Sequence, residues 1–391
     1  MGWRPCSPTR RESPSPRASG SSPSGYRRRP LCIRMSNCLT GNPGSAVPNE
    51  TLPESIREAI ASLIANVGRD GTDPRASRAV RSMIETSLAM LADNAAVADL
   101  KLVDAALAEI RQALRCFQPH GGVRKVTTFG SARTLPDQRE YALARSFSKK
   151  IADAGYMVIT GAGPGIMQAC QEGAGRDRSF GVNIKLPFEN VANETIRGDA
   201  KLVEFKYFFT RKLFFLKESS AIVLFPGGFG THDECFETLT LVQTGKSQMV
   251  PIVFLDVPRG TYWKTWDRYV RDHLLRKGLI AEQDLALYKL TDSVDEAVRE
   301  ITNFYRTFHS ARTIRGKLVV RLNHEVGPAQ LELLGREFGD ILSGPPVPAP
   351  GPFEEEFDEP TLADLPRIVL PFDMRSYGRL RMLIDRLNEI G

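Results

Sequence analysis

The chain has 391 residues and 42% of them are hydrophobic, which is enough for one large or two modest folded domains. Its formal net charge is +6, but residues 1–49 alone carry +7, so residues 50–391 sum to −1. A nearly neutral body argues against a nucleic-acid-binding surface, which needs basic residues on the folded domain. The sequence also has no apolar run long enough to cross a bilayer. We therefore expect neither nucleic acid nor a membrane as partner.

Residues 1–49 are rich in Ser, Pro and Arg, and this composition predicts a disordered tail. The tail lacks the apolar stretch of a secretory signal. It resembles a transit peptide in composition, and it also fits translation from an upstream start codon, with Met35 as the true start. Outside the tail, Cys116, Cys170 and Cys235 show no framework spacing, so we expect reduced thiols in a cytoplasmic protein.

The next segment, residues 50–118, is predicted to be a helical extension. Ile56, Ile60 and Ile64 recur at helical spacing, and leucines recur in the same way further along. We expect this extension to pack on the domain that follows, residues 119–310, or to make subunit contacts.

Three strand-like runs of that domain each end in small residues before a helix-like run. The first junction holds Gly130 and Ser131 before a helix predicted at 137–154, and the second, residues 160–167, reads TGAGPGIM. The third, residues 226–234, reads PGGFGTHDE and precedes a helix predicted from Thr231. Because the carboxyl ends of parallel strands share one edge of a sheet, these loops predict a ligand site for a nucleotide.

The third junction carries the most chemistry. Backbone amides of Gly227, Gly228, Gly230 and Thr231 at a helix N-terminus are suited to a phosphate, and Glu234 follows one turn later. The spacing of Thr231 and Glu234 is equally that of a capping box, in which both side chains only satisfy helix amides. The sequence alone leaves both interpretations open.

Familiar nucleotide motifs do not fit these loops. The dinucleotide fingerprint requires a glycine where Ile166 stands, and a Walker A loop requires one where Thr240 stands. We interpret Gly245, within TGKS, as the left-handed residue that ends a helix. The sequence contains no serine-hydrolase elbow and no zinc motif.

Taken together, PGGFGTHDE, the preceding Thr-Arg-Lys at 210–212, and the two earlier glycine loops resemble the LOG family of nucleoside 5′-monophosphate phosphoribohydrolases, once labelled lysine decarboxylases. The resemblance covers roughly residues 123–309. It implies a Rossmann-like fold that splits a nucleoside monophosphate into base and ribose 5-phosphate. It also implies that Arg211 and Glu234 are catalytic. We interpret Lys212 as a solvated helix residue or a supporting charge and not as a catalyst. From their positions in these loops, the predicted substrate contacts are Gly130, Ser131, Gly161, Gly163, Gly165, Met167, Gly227, Gly228, Gly230 and Thr231. For Ser131 and Met167, a tight turn and a packed helix face are equally open interpretations.

This chain departs from the family pattern before the arginine, where Phe208 and Phe209 replace Met-His. AMP is the first substrate to test, and cytokinin riboside monophosphates are a further substrate class that the resemblance allows. Aromatic residues also surround Arg211, in the run Tyr207, Phe208 and Phe209 and in the pair Phe214 and Phe215. This aromatic run and the resemblance together predict a homodimer or larger homo-oligomer.

The chemistry can also be argued from the residues. Breaking an N-glycosidic bond creates an oxocarbenium-like sugar, which a carboxylate such as Glu234 stabilises, and a water must be directed at the anomeric carbon. Arg211 offers a charged fork for a phosphate or for the departing base. The scheme requires no cofactor and no metal. The alternative is a carrier that binds a nucleotide or cofactor without hydrolysis. Such a carrier needs the glycines but does not need both Arg211 and Glu234. A DNA-processing Rossmann protein is a third reading.

Residues 311–391 are predicted to form a small α/β C-terminal appendage. The pattern indicates a strand at 317–322, a helix at 328–342, a linker at 344–360, a strand at 367–370 and a final helix. The predicted fold class is thus α/β, with a Rossmann-like parallel sheet covered by helices on both faces and an extension at each end.

Overall fold

The computed structural model describes residues 52–68, 72–185 and 192–391. The predicted disordered tail and Met35 lie outside these residues. The described chain begins with three helices, α1 (Glu54–Val67), α2 (Pro74–Ala92) and α3 (Val97–Phe117), as the apolar periodicity of residues 52–116 predicts. None of the described helices is long and apolar enough to cross a membrane.

A seven-stranded sheet forms the centre of the molecule. Its strands and the helices between them are β1 (Lys125–Phe129), α4 (Arg139–Asp153), β2 (Met157–Thr160), α5 (Ile166–Ala174), β3 (Ser179–Ile184), β4 (Leu202–Phe205), α6 (Phe208–Lys217), β5 (Ala221–Leu224), α7 (Phe229–Gln243), β6 (Ile252–Leu255), α8 (Tyr262–Tyr269), β7 (Tyr288–Thr291) and α9 (Val294–Phe304). The strand order is β4-β3-β2-β1-β5-β6-β7 and every pairing is parallel.

The strand order reverses between β1 and β5. The chain builds β1 to β4 outward on one side, returns to place β5 beside β1, and then builds the other side. At such a reversal the connections leave in opposite directions, which opens a crevice at the carboxyl ends of the two central strands. The loops after β1 and β5 begin at Gly130 and Phe225 and therefore lie at this crevice.

Apolar side chains alternate between the two faces of the sheet and bury both. On β5, Ala221 and Val223 join a cluster with Phe147 of α4, whereas Ile222 and Leu224 join a second cluster with Phe214 of α6. Strands buried on both faces require helices on both faces, as observed. The predicted α/β, Rossmann-like fold class with an N-terminal helical region is confirmed.

The C-terminal residues form a second, antiparallel sheet of four strands with two helices. The elements are β8 (Phe308–Ile314), β9 (Lys317–Leu322), α10 (Pro328–Glu337), β10 (Val347–Ala349), β11 (Arg367–Leu370) and α11 (Tyr377–Ile390). Its buried residues, including Leu383 and Leu387 of α11, belong to the same apolar cluster as Ile222 of the parallel sheet. This region therefore shares a core with the larger sheet.

Three details differ from the sequence-based expectation. The helix predicted to reach Leu342 ends at Glu337, and the chain then turns so that Phe338 and Ile341 enter the core. The predicted linker contains β10, and β8 was not predicted. Residues 309–312 of β8 are half-buried, and three of them are polar, His309, Ser310 and Arg312, so they give no clear apolar alternation.

Candidate active site

A cleft of about 790 Å³ opens at the carboxyl edge of the parallel sheet. Most residues that the sequence singles out line it: Gly130, Ser131, Gly161, Gly163, Met167, Arg211, Gly227, Gly228, Gly230, Thr231 and Glu234. Two do not line it, Gly165 and Lys212. The fold therefore brings three separate loops and the helices α5, α6 and α7 to one place.

Ser131 joins the three glycine loops through its main chain. Its N–H donates to the carbonyl of Pro226 at 3.1 Å, and its carbonyl accepts from the N–H of Ile166 at 3.0 Å. Gly165 permits this approach: its φ is +68°, and an added Cβ would lie 2.4 Å from the Ser131 carbonyl oxygen. Gly165 was predicted as a substrate contact, but its position packs loop against loop, so its requirement is steric.

The helix of the third junction begins at Phe229, two residues earlier than predicted. Its N-cap residue is Gly228, and no side chain caps it, so Thr231 and Glu234 do not form a capping box. Within the described residues, the amides of Gly228, Phe229 and Gly230 have no acceptor. These unpaired donors at the positive end of a helix suit an anion.

The amide of Thr231 does not belong to this set. It donates to the carbonyl of Gly228 at 3.1 Å, so it is not among the unpaired amides that can receive a phosphate without breaking a hydrogen bond. The helix starts earlier than the spacing suggested, which places Thr231 at the third helical position and the amide of Phe229 among the free ones. The Thr231 side chain still lines the cleft.

Arg211 enters the cleft from α6. Its Nε donates to the carbonyl of Val182 at 2.9 Å, and its guanidinium lies over the ring of Phe215, 4.9 Å from the centroid. An added Cβ on Gly161 would lie 2.4 Å from one guanidinium nitrogen, so this glycine makes room for the arginine. Burial lowers the pKa of Arg211 to about 10, and the Glu234 carboxylate opposes that shift. The arginine therefore remains a cation at neutral pH.

Glu234 is 7% exposed although it lines the cleft. Burial raises the pKa of this carboxyl to about 7, against the lowering effects of Lys212 and Arg211. A carboxyl with a pKa near neutrality can exchange a proton with substrate or water at physiological pH.

Lys212 lies behind Glu234 and contacts three carboxylates. Its Nζ is 2.8 Å from Asp233 Oδ2, 2.5 Å from Glu237 Oε2 and 4.0 Å from Glu234 Oε1. Burial lowers the pKa of Lys212, but the hydrogen bonds with Asp233 and Glu237 raise it overall. The ammonium thus stays charged and acts on Glu234 from outside the cleft.

Tyr262 and His232 orient the loop before α7, and the sequence did not point to either role. The Tyr262 hydroxyl donates to the carbonyl of Gly227, and Nε2 of His232 lies 2.7 Å from that hydroxyl. Because the phenol has one proton and gives it to Gly227, the imidazole Nε2 must carry the other proton. No sequence motif links residues this far apart, so only the fold reveals the contact.

Comparisons with known proteins bear on the same part of the chain. Among curated proteins, none matches. A solved structure of TM1055, a structural genomics target, has 20% identity and a TM-score of 0.35, and the match covers 46% of this chain and 99% of that one. The molybdenum cofactor carrier protein of Chlamydomonas reinhardtii has 18% identity and a TM-score of 0.33 over 46% of this chain and 96% of its own.

DNA processing protein A of Helicobacter pylori, described with a single-stranded DNA binding mode, has 15% identity and a TM-score of 0.32 over 46% of this chain and 80% of its own. A family model described as possible lysine decarboxylase matches residues 165–301. That segment contains both Arg211 and Glu234. Over these residues the chain is therefore similar to the family of possible lysine decarboxylases. Lysine decarboxylase is also the older label of the LOG family, which the sequence motifs resemble.

Proposed function

We propose that this protein hydrolyses the N-glycosidic bond of a nucleoside 5′-monophosphate, releasing the free base and ribose 5-phosphate. One observation carries the proposal: Glu234 is a buried carboxyl with a pKa near 7, and it shares a cleft with Arg211 and with unpaired helix amides. An acid–base group, a fixed cation and an anion site are the three components that this reaction needs.

The anion site binds the 5′-phosphate. The amides of Gly228, Phe229 and Gly230 point their donors at the cleft end of α7, and the helix dipole adds to their attraction for negative charge. The phosphate does not react, so its binding energy serves to hold the sugar against Glu234 and Arg211.

In the chemical step, the bond between the anomeric carbon and the base nitrogen breaks and its electron pair leaves with the base. Ionised Glu234 stabilises the positive charge that develops on the sugar or accepts a proton from the attacking water. The water supplies hydroxide to the anomeric carbon, and the base gains one proton. Arg211, held by Val182 and Phe215, neutralises negative charge on the departing base.

The name of the matching family model implies a decarboxylase, and such enzymes use a lysine to hold pyridoxal phosphate as a Schiff base. The residues described around this cleft do not fit that group, because no lysine is among them. Lys212 lies behind the cleft and its three carboxylate neighbours hold it in the charged form, whereas a Schiff base requires a neutral amine.

The test is base release from AMP, GMP, CMP and UMP by the wild-type protein and by Glu234→Gln, with nucleotide affinity measured by calorimetry for each. We expect the wild type to release base and ribose 5-phosphate, and the variant to bind nucleotide but react at least about a hundredfold more slowly. Glu237→Gln is the matched control, since Glu237 contacts the same lysine outside the cleft and should change the rate little.

Two results would overturn the proposal in different ways. If the wild type binds nucleotides but releases no base, the carrier alternative is correct and Glu234 has no catalytic role. If it binds none of the four nucleotides, the anion site does not serve a nucleotide at all.

A further inference from the structure

Asn183 is a buried polar residue in the cleft whose side chain has no partner. It lies next to the last residue of β3 and is only 9% exposed, yet it lines the cleft. Within the described residues, its side-chain amide makes no hydrogen bond, although Asn193 nearby in sequence makes three. The amide atoms of Asn183 are not among the fully enclosed unpaired atoms of the described residues, so they are open to the cleft, where a ligand group can become their partner.

The sheet order places Asn183 far from the anion site. Strand β3 lies two strands from β1 and three from β5, and the spacing of neighbouring strands makes these separations about 10 Å and about 14 Å. Arg211 lies on the way, since it binds the carbonyl of Val182, the residue before Asn183. With the phosphate at α7 and the reacting carbon between Arg211 and Glu234, Asn183 meets the far end of the ligand, which is the base.

The composition of this end of the cleft also fits a base. Ile184 follows Asn183 in β3, Phe208 begins α6 three residues after the end of the neighbouring strand β4, and Phe215 lies under Arg211. A nucleobase has flat apolar faces and a polar edge, so it fits aromatic and aliphatic walls with one amide. Ribose hydroxyls would require several polar groups instead.

Building on the proposed function, we propose that Asn183 binds the polar edge of the base and accepts both amino- and oxo-substituted bases. A side-chain amide offers a donor and an acceptor side by side, and rotation by 180° exchanges them. Because no described neighbour holds the Asn183 amide in one orientation, it matches the amine of adenine or cytosine and the carbonyl of hypoxanthine or uracil. The substrate class is thus nucleoside monophosphates with either kind of base.

The experiment compares substrates that differ at one exocyclic group, AMP with IMP and CMP with UMP. In the wild type, kcat/KM should agree within about tenfold inside each pair. Asn183→Asp presents only acceptors when ionised, so it should favour the amino base and change each ratio by at least about tenfold. Asn183→Leu, of similar size, should weaken all four substrates and leave both ratios unchanged.

Affinity measured on Glu234→Gln keeps this test separate from the proposed function. If neither the wild type nor the variants release base, the preference for AMP over IMP is measured as the ratio of their dissociation constants. This ratio is compared between proteins with and without Asn183→Asp. Should the aspartate variant fail to fold, Asn183→Leu decides, because loss of affinity for the nucleotide with unchanged affinity for ribose 5-phosphate supports a contact to the base.

Three results would overturn the inference. The first is a wild-type preference above about tenfold within a pair, and the second is an aspartate variant with an unchanged ratio. The third is that substituting Asn183 changes the preference for AMP over 2′-deoxy-AMP and leaves the preference between bases unchanged. That result would assign Asn183 to the ribose.

Discussion

Two buried glutamates in this protein have opposite electrostatic surroundings. Glu356, in the C-terminal region, is 2% exposed and accepts from Arg321 Nε at 2.7 Å and Arg367 Nε at 3.1 Å. Burial raises the pKa of this carboxyl, but the Phe353 amide and the two arginines lower it overall. Glu234, at the parallel sheet, has its nearest cation at 4.0 Å, and burial raises its pKa to about 7.

The difference separates a structural carboxylate from a reactive one. Glu356 has its desolvation compensated, so it stays ionised and ties residues 353–359 to β9 and β11. Glu234 is desolvated without a close partner, so its proton affinity is high and its energy depends on what enters the cleft. Burial alone is common to both, and the distance to the nearest cations decides which one suits catalysis.

Removing the charge of Glu356 should have the largest effect on stability. Glu356→Gln leaves Arg367 without its carboxylate partner in a buried site, while Arg321 keeps Glu359 at 2.6 Å, so we expect a loss of about 3–5 kcal/mol in the free energy of unfolding. Since the folded-state pKa is depressed, this contribution is fully present above the ordinary value of 4.5, and it is lost progressively as pH falls from there through the lower folded-state pKa. Urea denaturation at pH 7 and pH 4 measures it, and an equal loss at both would contradict the assignment.

Removing the charge of Glu234 should change the free energy of unfolding in the opposite direction and stabilise the protein. The folded state holds the Glu234 proton up to about pH 7, whereas the unfolded chain releases it near 4.5, so wild-type stability falls as pH rises between these values. Glu234→Gln avoids that cost, and we expect it to be more stable than wild type by about 1–3 kcal/mol at pH 8 and equal to it at pH 4. Thermal or urea unfolding of both proteins provides the measurement. A variant no more stable than wild type at pH 8 would remove the contrast with Glu356.

The smallest effect concerns the cation behind Glu234. Lys212→Met removes the ammonium that lowers the pKa of this carboxyl, so the pKa should rise and the acid limb of kcat/KM should move upward by about 0.5–1 pH unit, or about 1 kcal/mol. Lys212→Arg keeps the charge and should leave the limb close to its wild-type position. The pH profile of base release distinguishes the two, and a limb that stays in place in Lys212→Met would show that the lysine has only a packing role.

The sequence predicted the edge of the sheet better than the details of the site. Gly130, Gly161 and Gly227 follow apolar runs, and parallel topology necessarily brings such positions together. The choice between a capping box and a free carboxyl at Glu234 depended on where α7 begins, and a difference of two residues decided it. Element ends of that kind depend on tertiary contacts that local spacing does not contain.

Asn183 and Tyr262 were missed for a different reason. Each is a single polar or aromatic residue in an ordinary strand or helix, and neither belongs to a motif. Their importance arises from neighbours that are distant in sequence, Gly227 for Tyr262 and the open cleft for Asn183. A signal for them exists only once the order of the strands is known.

Ser131 has a thermodynamic consequence for ligand binding. Its N–H and carbonyl are both committed to neighbouring loops, so none of the three loops can open without breaking a main-chain hydrogen bond to another. Loops that are already ordered lose little conformational entropy when a ligand arrives, and more of the contact energy then appears as affinity. Because the main chain alone provides this connection, the hydroxyl of Ser131 can change its partner or be replaced without loosening the three loops.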